Sequence, residues 1–481
     1  AIALTVVEPT GNGIGSDAFA IIWDGAGLHG LNASGRSPIG WHPDRFADLP
    51  QMPDLGWEAV TVPGAVSAWV ACSERFGKLP FTDLFEPAIR YAENGFPVSQ
   101  IISQIWARSA ERLREQPGFF ESFLAYGAAP RAGQYYRNPA QARTLSLIAE
   151  TTGRAFYEGP IAEAIVAHAA TYGGAMTLDD LARHQPVWCG TISGSFDAAT
   201  LHEIPPNGQG IAALMALGIL SHTSIRDINP DDPLATHLQI EAVKLALRDS
   251  DRFVADPQHM TSVTQSDLLD DGYLQDRAKM IDPDSATDFS HGMPKKGGTV
   301  CLATADKDGM MVSFIQSNYD KFGSGVVVPG TGIAMQNRGA GFTLTPGHPN
   351  CVGPGKQPFH TIIPGFVMKG QKPFMSFGFM GGPMQAQGHL QMVIRTHLFG
   401  EDPQTAIDAP RWRAMEGLDV AIEPAMPEAI VEGLQKRGHN LVCEAPDTAF
   451  GFGGAQLIQC LPERGYIAGS DPRKDGHAVG F

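Results

Sequence analysis

The chain has 481 residues, 43% of them hydrophobic and 18% charged, and a net charge of −16. That composition belongs to a globular protein with a substantial core and excludes a disordered or fibrous one. So acidic a chain also argues against nucleic acid or an anionic membrane as partner, yet it leaves room for a small anionic substrate, because screening acts within about 8 Å.

No apolar run approaches the roughly 18 residues that span a bilayer. The opening AIALTVVEP is short and lacks the basic flank of a signal peptide. It reads as an element entered partway along, with residues expected upstream. Six cysteines are scattered without a CxxC pair, which excludes a disulfide scaffold and a cysteine zinc site. The compartment stays open, with the cytoplasm favoured over the periplasm.

Residues 17–34 predict two strands joined by a turn at Asp24-Gly25-Ala26-Gly27. Residues 82–176 are mostly helical by their three- and four-residue apolar spacing, as in TDLFEPAIRYAENG and GPIAEAIVAHAATYGG. Thr177-Leu-Asp-Asp180 has the pattern of a helix N-cap. ATHLQIEAVKLALRDSDRFVADP, 235–257, is the clearest helix, stopped at Pro257. From Gly297 the character changes. VCLATADKDGMMVSFIQS predicts two strands around an Asp308-Gly309 turn, and further strands are expected at HTIIPGFVM and KPFMSFGFM. The last ends in Gly381-Gly382, after which PMQAQGHLQMVIRTHLFG predicts a helix with Pro383 in its first turn. Apolar strands flanked by helices predict an α/β protein in which layers of helix enclose sheets.

Gly11-Asn-Gly-Ile-Gly-Ser16 hints at a phosphate loop, but the strand-like AFAIIW follows it instead of a helix, so no helix N-terminus is available. Gly353-Pro-Gly-Lys356 is followed by Gln357 and lacks the Ser or Thr of a Walker loop. His389 and His397 are eight apart on one helix, without a carboxylate partner in that pattern, and do not predict a metal.

Thr299 is the residue with distinctive chemistry. Two lysines and Gly297-Gly298 lead directly into it. A threonine opening a strand is ordinary β-propensity. Its hydroxyl, however, could attack the Gly298 carbonyl, and hydrolysis of the resulting ester would leave Thr299 as a new first residue. Its α-amine, with an ordinary pKa of about 7.7–8.0, would then serve as base near neutral pH. Gly298, lacking Cβ, permits the strained geometry of such a shift. Gly381-Gly382, at a strand end entering a helix, offers backbone N–H groups for an oxyanion, although a plain strand-to-helix turn has the same composition.

VVEPTGNGIGSDAFAIIWDG, NASGRSP, TVPGAVSAW, EAVKLALRDSDRFVADP, GGTVCLATADKDG, FGSGVVVPGTGI, NRGAGF and MGGPMQAQGHLQ, in this order, resemble the γ-glutamyltransferase superfamily of N-terminal-nucleophile hydrolases. The resemblance implies a four-layer αββα sandwich from a precursor that cuts itself, here at Gly298–Thr299, into a large 1–298 and a small 299–481 segment. A dimer of such two-chain units is compatible with it. It implies Thr299 as nucleophile, Gly381 and Gly382 as the oxyanion hole, Ser317 as a hydroxyl touching the nucleophile, and Arg36 as the grip on a substrate carboxylate. Neither metal nor organic cofactor is implied. Arg338 and His360 are expected to add to the pocket.

The departures from the family pattern bear on substrate. Gly339-Ala340-Gly341 replaces the acidic pair that holds a glutamyl α-amine, Phe359-His360 replaces paired serines, and Tyr319 replaces an asparagine. A carboxylate anchor without an amine anchor predicts an amidohydrolase for a small carboxylate-bearing amide. Oxamate or the glutaryl side chain of cephalosporin precursors are the expected kinds, and Phe359, filling space, favours the smaller. A γ-glutamyltransferase acting on glutathione and an uncleaved binding protein are the alternatives.

Overall fold

A computed structural model describes residues 1–124, 127–289, 298–445, 451–463 and 465–481. Lys295, Lys296 and Gly297, which lead into Thr299 in the sequence, lie outside the described residues. Two antiparallel sheets form the centre. Their strands are β1 Asp17–Trp23, β2 Leu28–Asn32, β3 Val187–Trp188, β4 Ile192–Phe196, β5 Ala199–Glu203, β6 Gly298–Ala305, β7 Met311–Tyr319, β8 Pro364–Lys369, β9 Lys372–Met380, β10 Gly454–Cys460 and β11 Tyr466–Ser470. The five-stranded sheet runs β3–β2–β1–β7–β6, and the six-stranded sheet runs β11–β10–β9–β8–β5–β4.

Side chains alternate across each strand, and that alternation makes the layers. Along β1, Phe19 and Ile21 enter the core between the sheets. Ala18, Ala20 and Ile22 face the opposite way, into a core shared with helices. Those helices include α1 Ala65–Phe76, α2 Glu86–Asn94, α3 Gln100–Leu113, α4 Pro139–Glu150 and α5 Pro160–Thr171. Along β8, Phe366 and Met368 meet the first sheet, whereas Val367 packs with α6 Gly210–Ser221, α7 Pro233–Phe253 and α8 Met384–Val393. Three cores between four layers give the αββα sandwich. A fully buried Phe or Ile contributes roughly 1.5–3 kcal/mol. The sheets approach closely where Gly378 of β9 faces β6, since a Cβ there would lie 3.0 Å from Cys301 Cβ.

Several expected elements shift for identifiable reasons. Asp232 caps α7 with Pro233 at its first turn, so the helix starts before 235 and ends at Phe253. His360–Ile363 stays outside the ladder, and strand β8 begins only at Pro364, a position where a missing N–H costs nothing. The helix after Gly382 takes Pro383 as its N-cap and turns into a π segment at Ile394–Leu398, where Thr396 back-bonds to the Met392 carbonyl. Thr177 and Asp180 form the expected cap as a reciprocal capping box. Among the described residues no helix is long and apolar enough to cross a membrane.

Candidate active site

Thr299 sits near the start of β6, where pairing with β7 slips. Gly298 pairs with Tyr319 but Val300 pairs with Gln316, so Ser317 and Asn318 together oppose Thr299. Such a bulge re-aims side chains at the end of a ladder. Here Thr299 Oγ1 donates to Ser317 Oγ at 3.3 Å, and Ser317 Oγ accepts the Tyr319 N–H at 2.7 Å. Tyr319 takes φ 79°, a left-handed conformation that a non-glycine residue holds at a cost of order 1–3 kcal/mol. Thr299 is only 1% exposed, and its nitrogen is still part of a continuous strand.

The glycine turn is brought to this hydroxyl by a residue that the sequence reading does not single out. Gln385, in the first turn of α8, donates from Nε2 to Thr299 Oγ1 at 3.3 Å, while its Oε1 accepts the Ile363 N–H at 3.0 Å. Fixing Oε1 on a backbone donor settles which end of the amide meets the nucleophile. Gly381 and Gly382 take φ 121° and 60°, consecutive values that only glycine adopts without strain. Gln209, also buried and also unforeseen, pins the turn by donating to Gly382 O at 2.9 Å and Thr361 O at 2.5 Å.

The loop Gly11–Ser16 has a structural job here. Asn318 N–H bonds to Gly11 O, Ser16 Oγ to Asn318 Oδ1, and Gln316 Nε2 to Asn12 Oδ1. A Cβ on Gly11 would stand 3.3 Å from Thr299 N. These glycines let the loop lie flat against the nucleophile's strands. Lys356 is likewise spent on loop carbonyls, those of Pro349 and Cys351.

The expected substrate-binding residues fall into two groups. Arg338, Tyr319 and His360 are buried together with Asp17, which pairs with Ser317 across β1 and β7. Arg338 lies over the Tyr319 ring at 4.8 Å and donates from Nη1 to Thr361 Oγ1 at 2.9 Å. His360 Nε2 meets Asp17 Oδ2 at 3.1 Å, while Gly35 and Gly64 donate backbone N–H groups to Oδ1. Burial, with Arg338 adding to it, pushes the His360 imidazole well below its ordinary value, so a neutral ring donates to Asp17. Burial pushes Asp17 up to about 7, against the pull of Arg338 and its two backbone donors. The guanidinium itself is pulled down to about 10, chiefly by burial, with Asp17 opposing.

Arg36 and Phe359 stand apart from that group. Arg36 donates from Nη1 to Asp256 Oδ2 at 2.7 Å and to Gly355 O at 2.9 Å, with its side chain 41% exposed. Phe359 is half-buried, its N–H on Asn350 Oδ1. Its carbonyl explains the missing acidic pair, because a Cβ on Gly341 would lie 2.5 Å from Phe359 O. A Cβ on Gly339 would lie 2.6 Å from the Trp41 ring. The turn is packed too tightly for a side chain at either end.

Carboxylates do meet the two histidines of the α8 segment, although from elsewhere in the chain. His389 Nδ1 reaches Glu203 at 2.6 Å and His397 Nε2 reaches Asp197 at 3.4 Å. Among the described residues, His237, Glu241 and His439 form a group with metal-ligand spacing. Glu241 there already takes Lys244 Nζ and the Thr287 N–H. His237 is held between His439 and the Asp282 carbonyl. A separate cavity of about 630 Å³ borders Val300–Ala305 of β6, with Glu8 and Lys474 in its lining.

The family described as Gamma-glutamyltranspeptidase matches residues 1–481. A cephalosporin acylase structure from Bacillus halodurans superposes with a TM-score of 0.95 at 45% identity, covering 100% of this chain and 90% of that one. The oxamate amidohydrolase proenzyme of Klebsiella pneumoniae is 36% identical over 100% of this chain and 92% of its own length. The glutathione hydrolase-like YwrD proenzyme of Bacillus subtilis is 35% identical over 99% of this chain and 92% of its own length.

Proposed function

The chain belongs to the gamma-glutamyltranspeptidase family, and from that premise we propose that it is a self-processing N-terminal-threonine amidohydrolase for a small amide bearing a free carboxylate. The observation that carries this reading is the Thr299 hydroxyl, buried at a strand bulge between Ser317 and Gln385, where the Gly381–Gly382 turn begins a helix.

In the first event the Thr299 hydroxyl attacks the Gly298 carbonyl carbon. The C–N bond breaks, nitrogen takes a proton, and water hydrolyses the ester, leaving segments 1–298 and 299–481. The freed α-amine then works as base and acid in turn. It accepts the hydroxyl proton as Oγ1 attacks the substrate carbonyl, and the oxyanion faces the backbone of Gly381–Gly382. It next protonates the leaving nitrogen as the amide bond breaks. Water, deprotonated by the same amine, releases the acid from the acyl-enzyme. Removing one oxyanion donor costs about 10²–10³ in turnover.

An oxamate-like acid amide is favoured over a glutamyl substrate because Gly339-Ala340-Gly341 carries no carboxylate to hold an amine, and a Cβ on either glycine would meet Trp41 or Phe359 O. The 36% identity to an oxamate amidohydrolase supports the same choice. A cephalosporin-type acylase is the second reading, supported by the 45% identical structure. Purified protein should run as two bands on a denaturing gel, with the smaller band starting TVCLAT. It should also release ammonia from oxamate faster than it frees the amine from glutaryl-7-aminocephalosporanic acid. A single intact band, retained by a protein that still turns over, would overturn the mechanism, and the reverse substrate order would make the acylase reading the correct one. Thr299→Ala should abolish cutting and turnover together.

A further inference from the structure

We propose that Arg338 carries the carboxylate anchor of this site, through the unspent edge of its guanidinium, and so selects acids whose carboxylate adjoins the scissile carbonyl. This rests on the amidohydrolase reading above and narrows its substrate class to short, planar α-oxo acid amides.

Arg338 is 1% exposed. Its Nη1 is held by Thr361 and one face is covered by Tyr319. Nε and Nη2 are both buried and have no hydrogen-bond partner among the described residues. Those two nitrogens form one edge of the fork, the edge that takes a carboxylate side-on with two parallel bonds. A buried cation with two idle donors is costly, and it persists where a ligand completes it. Asp17, the nearby anion, does not do so. Its oxygens are taken by Gly35, Gly64 and His360.

The residues that hold Arg338 are also linked to the parts that do the chemistry. Tyr319 donates to Ser317, the hydroxyl bonded to Thr299. Thr361 is tied through Gln209 to Gly382, and Ile363 holds Gln385. Arg36 likewise spends Nη1, on Asp256 and Gly355, but its side chain is 41% exposed, so water can satisfy its remaining donors. A carboxylate on Arg338 would therefore be deep, against groups hydrogen-bonded to those that hold the nucleophile and the glycine turn. One held by Arg36 would remain in contact with water.

The test compares oxamate with its neutral counterpart oxamide on processed protein. Arg338→Met should raise KM for oxamate by about 100-fold, the loss of a two-pronged charged contact. KM for oxamide should stay within about threefold of wild type, and self-cleavage should still be visible on a gel. Arg36→Met should leave the oxamate-to-oxamide ratio nearly unchanged. An unchanged ratio in Arg338→Met overturns the proposal. Should the variant fail to fold, or wild type fail to release ammonia, a crystal of processed wild-type protein soaked in oxalate decides independently. Oxalate on Nε and Nη2 of Arg338 upholds the anchor whatever the substrate. Oxalate on Arg36 alone, or on neither, refutes it.

Discussion

Gln385 uses both ends of its amide, one on the Ile363 N–H and one on the Thr299 hydroxyl. Gln385→Leu keeps the volume and removes the donor, so self-cleavage and kcat should both fall by about 10- to 100-fold, less than the roughly 10²–10³ of an oxyanion-hole donor because the bond is to the nucleophile and not to the developing oxyanion. A gel time course and a turnover assay measure the two, and wild-type rates for both would reduce Gln385 to packing. Gly341→Asp should not restore glutamyl chemistry. Its Cβ would sit 2.5 Å from Phe359 O, so the expected outcome is a Tm lower by several degrees and no glutathione hydrolysis. Thr299 and the glycine pair stand out in the sequence because each residue type answers a chemical need, whereas Ser317 is expected only through the family resemblance. Gln385 and Gln209 do not stand out. A glutamine in or before a helix looks neutral in sequence, and only its contacts reveal the task.

Among the elements, the strand bulge and the Gly11–Ser16 loop together set where Thr299 points. Gly11→Ala would press a methyl to 3.3 Å from Thr299 N and 3.4 Å from its carbonyl oxygen. A shift of tenths of an ångström at a reacting group is costly to rate and cheap to stability. Self-cleavage should therefore slow several-fold while Tm moves by no more than a few degrees. A cutting rate equal to wild type would show that the loop does not position the strand. Strand periodicity placed β1, β2, β6, β7 and β9 well. The helix α6 gave no such signal, because GIAALMALGILS is buried along almost its whole length and has no polar face to reveal the period. The bulge was equally hidden, since register depends on the partner strand.

Across the whole molecule, both sheets draw strands from either side of residue 298. β1, β2 and β3 pair with β6 and β7, while β4 and β5 extend β8 to β11. Cut and uncut protein should consequently melt in one calorimetric transition, and two separated transitions would show that the halves are independent. Stability should also peak near pH 6.5. Burial pushes His184 down to about 4 and His439 to about 3, so these rings stay neutral when folded but take protons when unfolded below about 6.5. The unfolded state binds more protons there, and stability rises with pH from about 4 to 6.5. Asp17, pushed up to about 7, and Glu8, pushed up to about 8 by burial, act in the opposite sense. Their contribution is complete below pH 4 and is lost as pH rises through 7 and 8. Between about pH 4.5 and 6.5 these two acids cancel the two histidines. His360, which burial holds well below its ordinary value, tips the sum so that stability rises with pH, and above about 6.5 the acids act alone. A melting curve that climbs steadily to pH 8 would contradict this balance. Helices layered around sheets are readable from the segments, and one αββα core formed by both halves is implied by the family resemblance. Which strands share each sheet is not readable, because strand order is a property of the folded chain.

Thr299 is 1% exposed while its nitrogen still belongs to an unbroken strand. In the proposed mechanism a molecule in that state lacks the free α-amine that acts as base on substrate, so it turns nothing over until it has cut itself. Because the proposed nucleophile is placed by pairing between β6 and β7, the cut would wait on closure of that sheet. On that proposal, the number of working catalysts would count only the molecules that had folded.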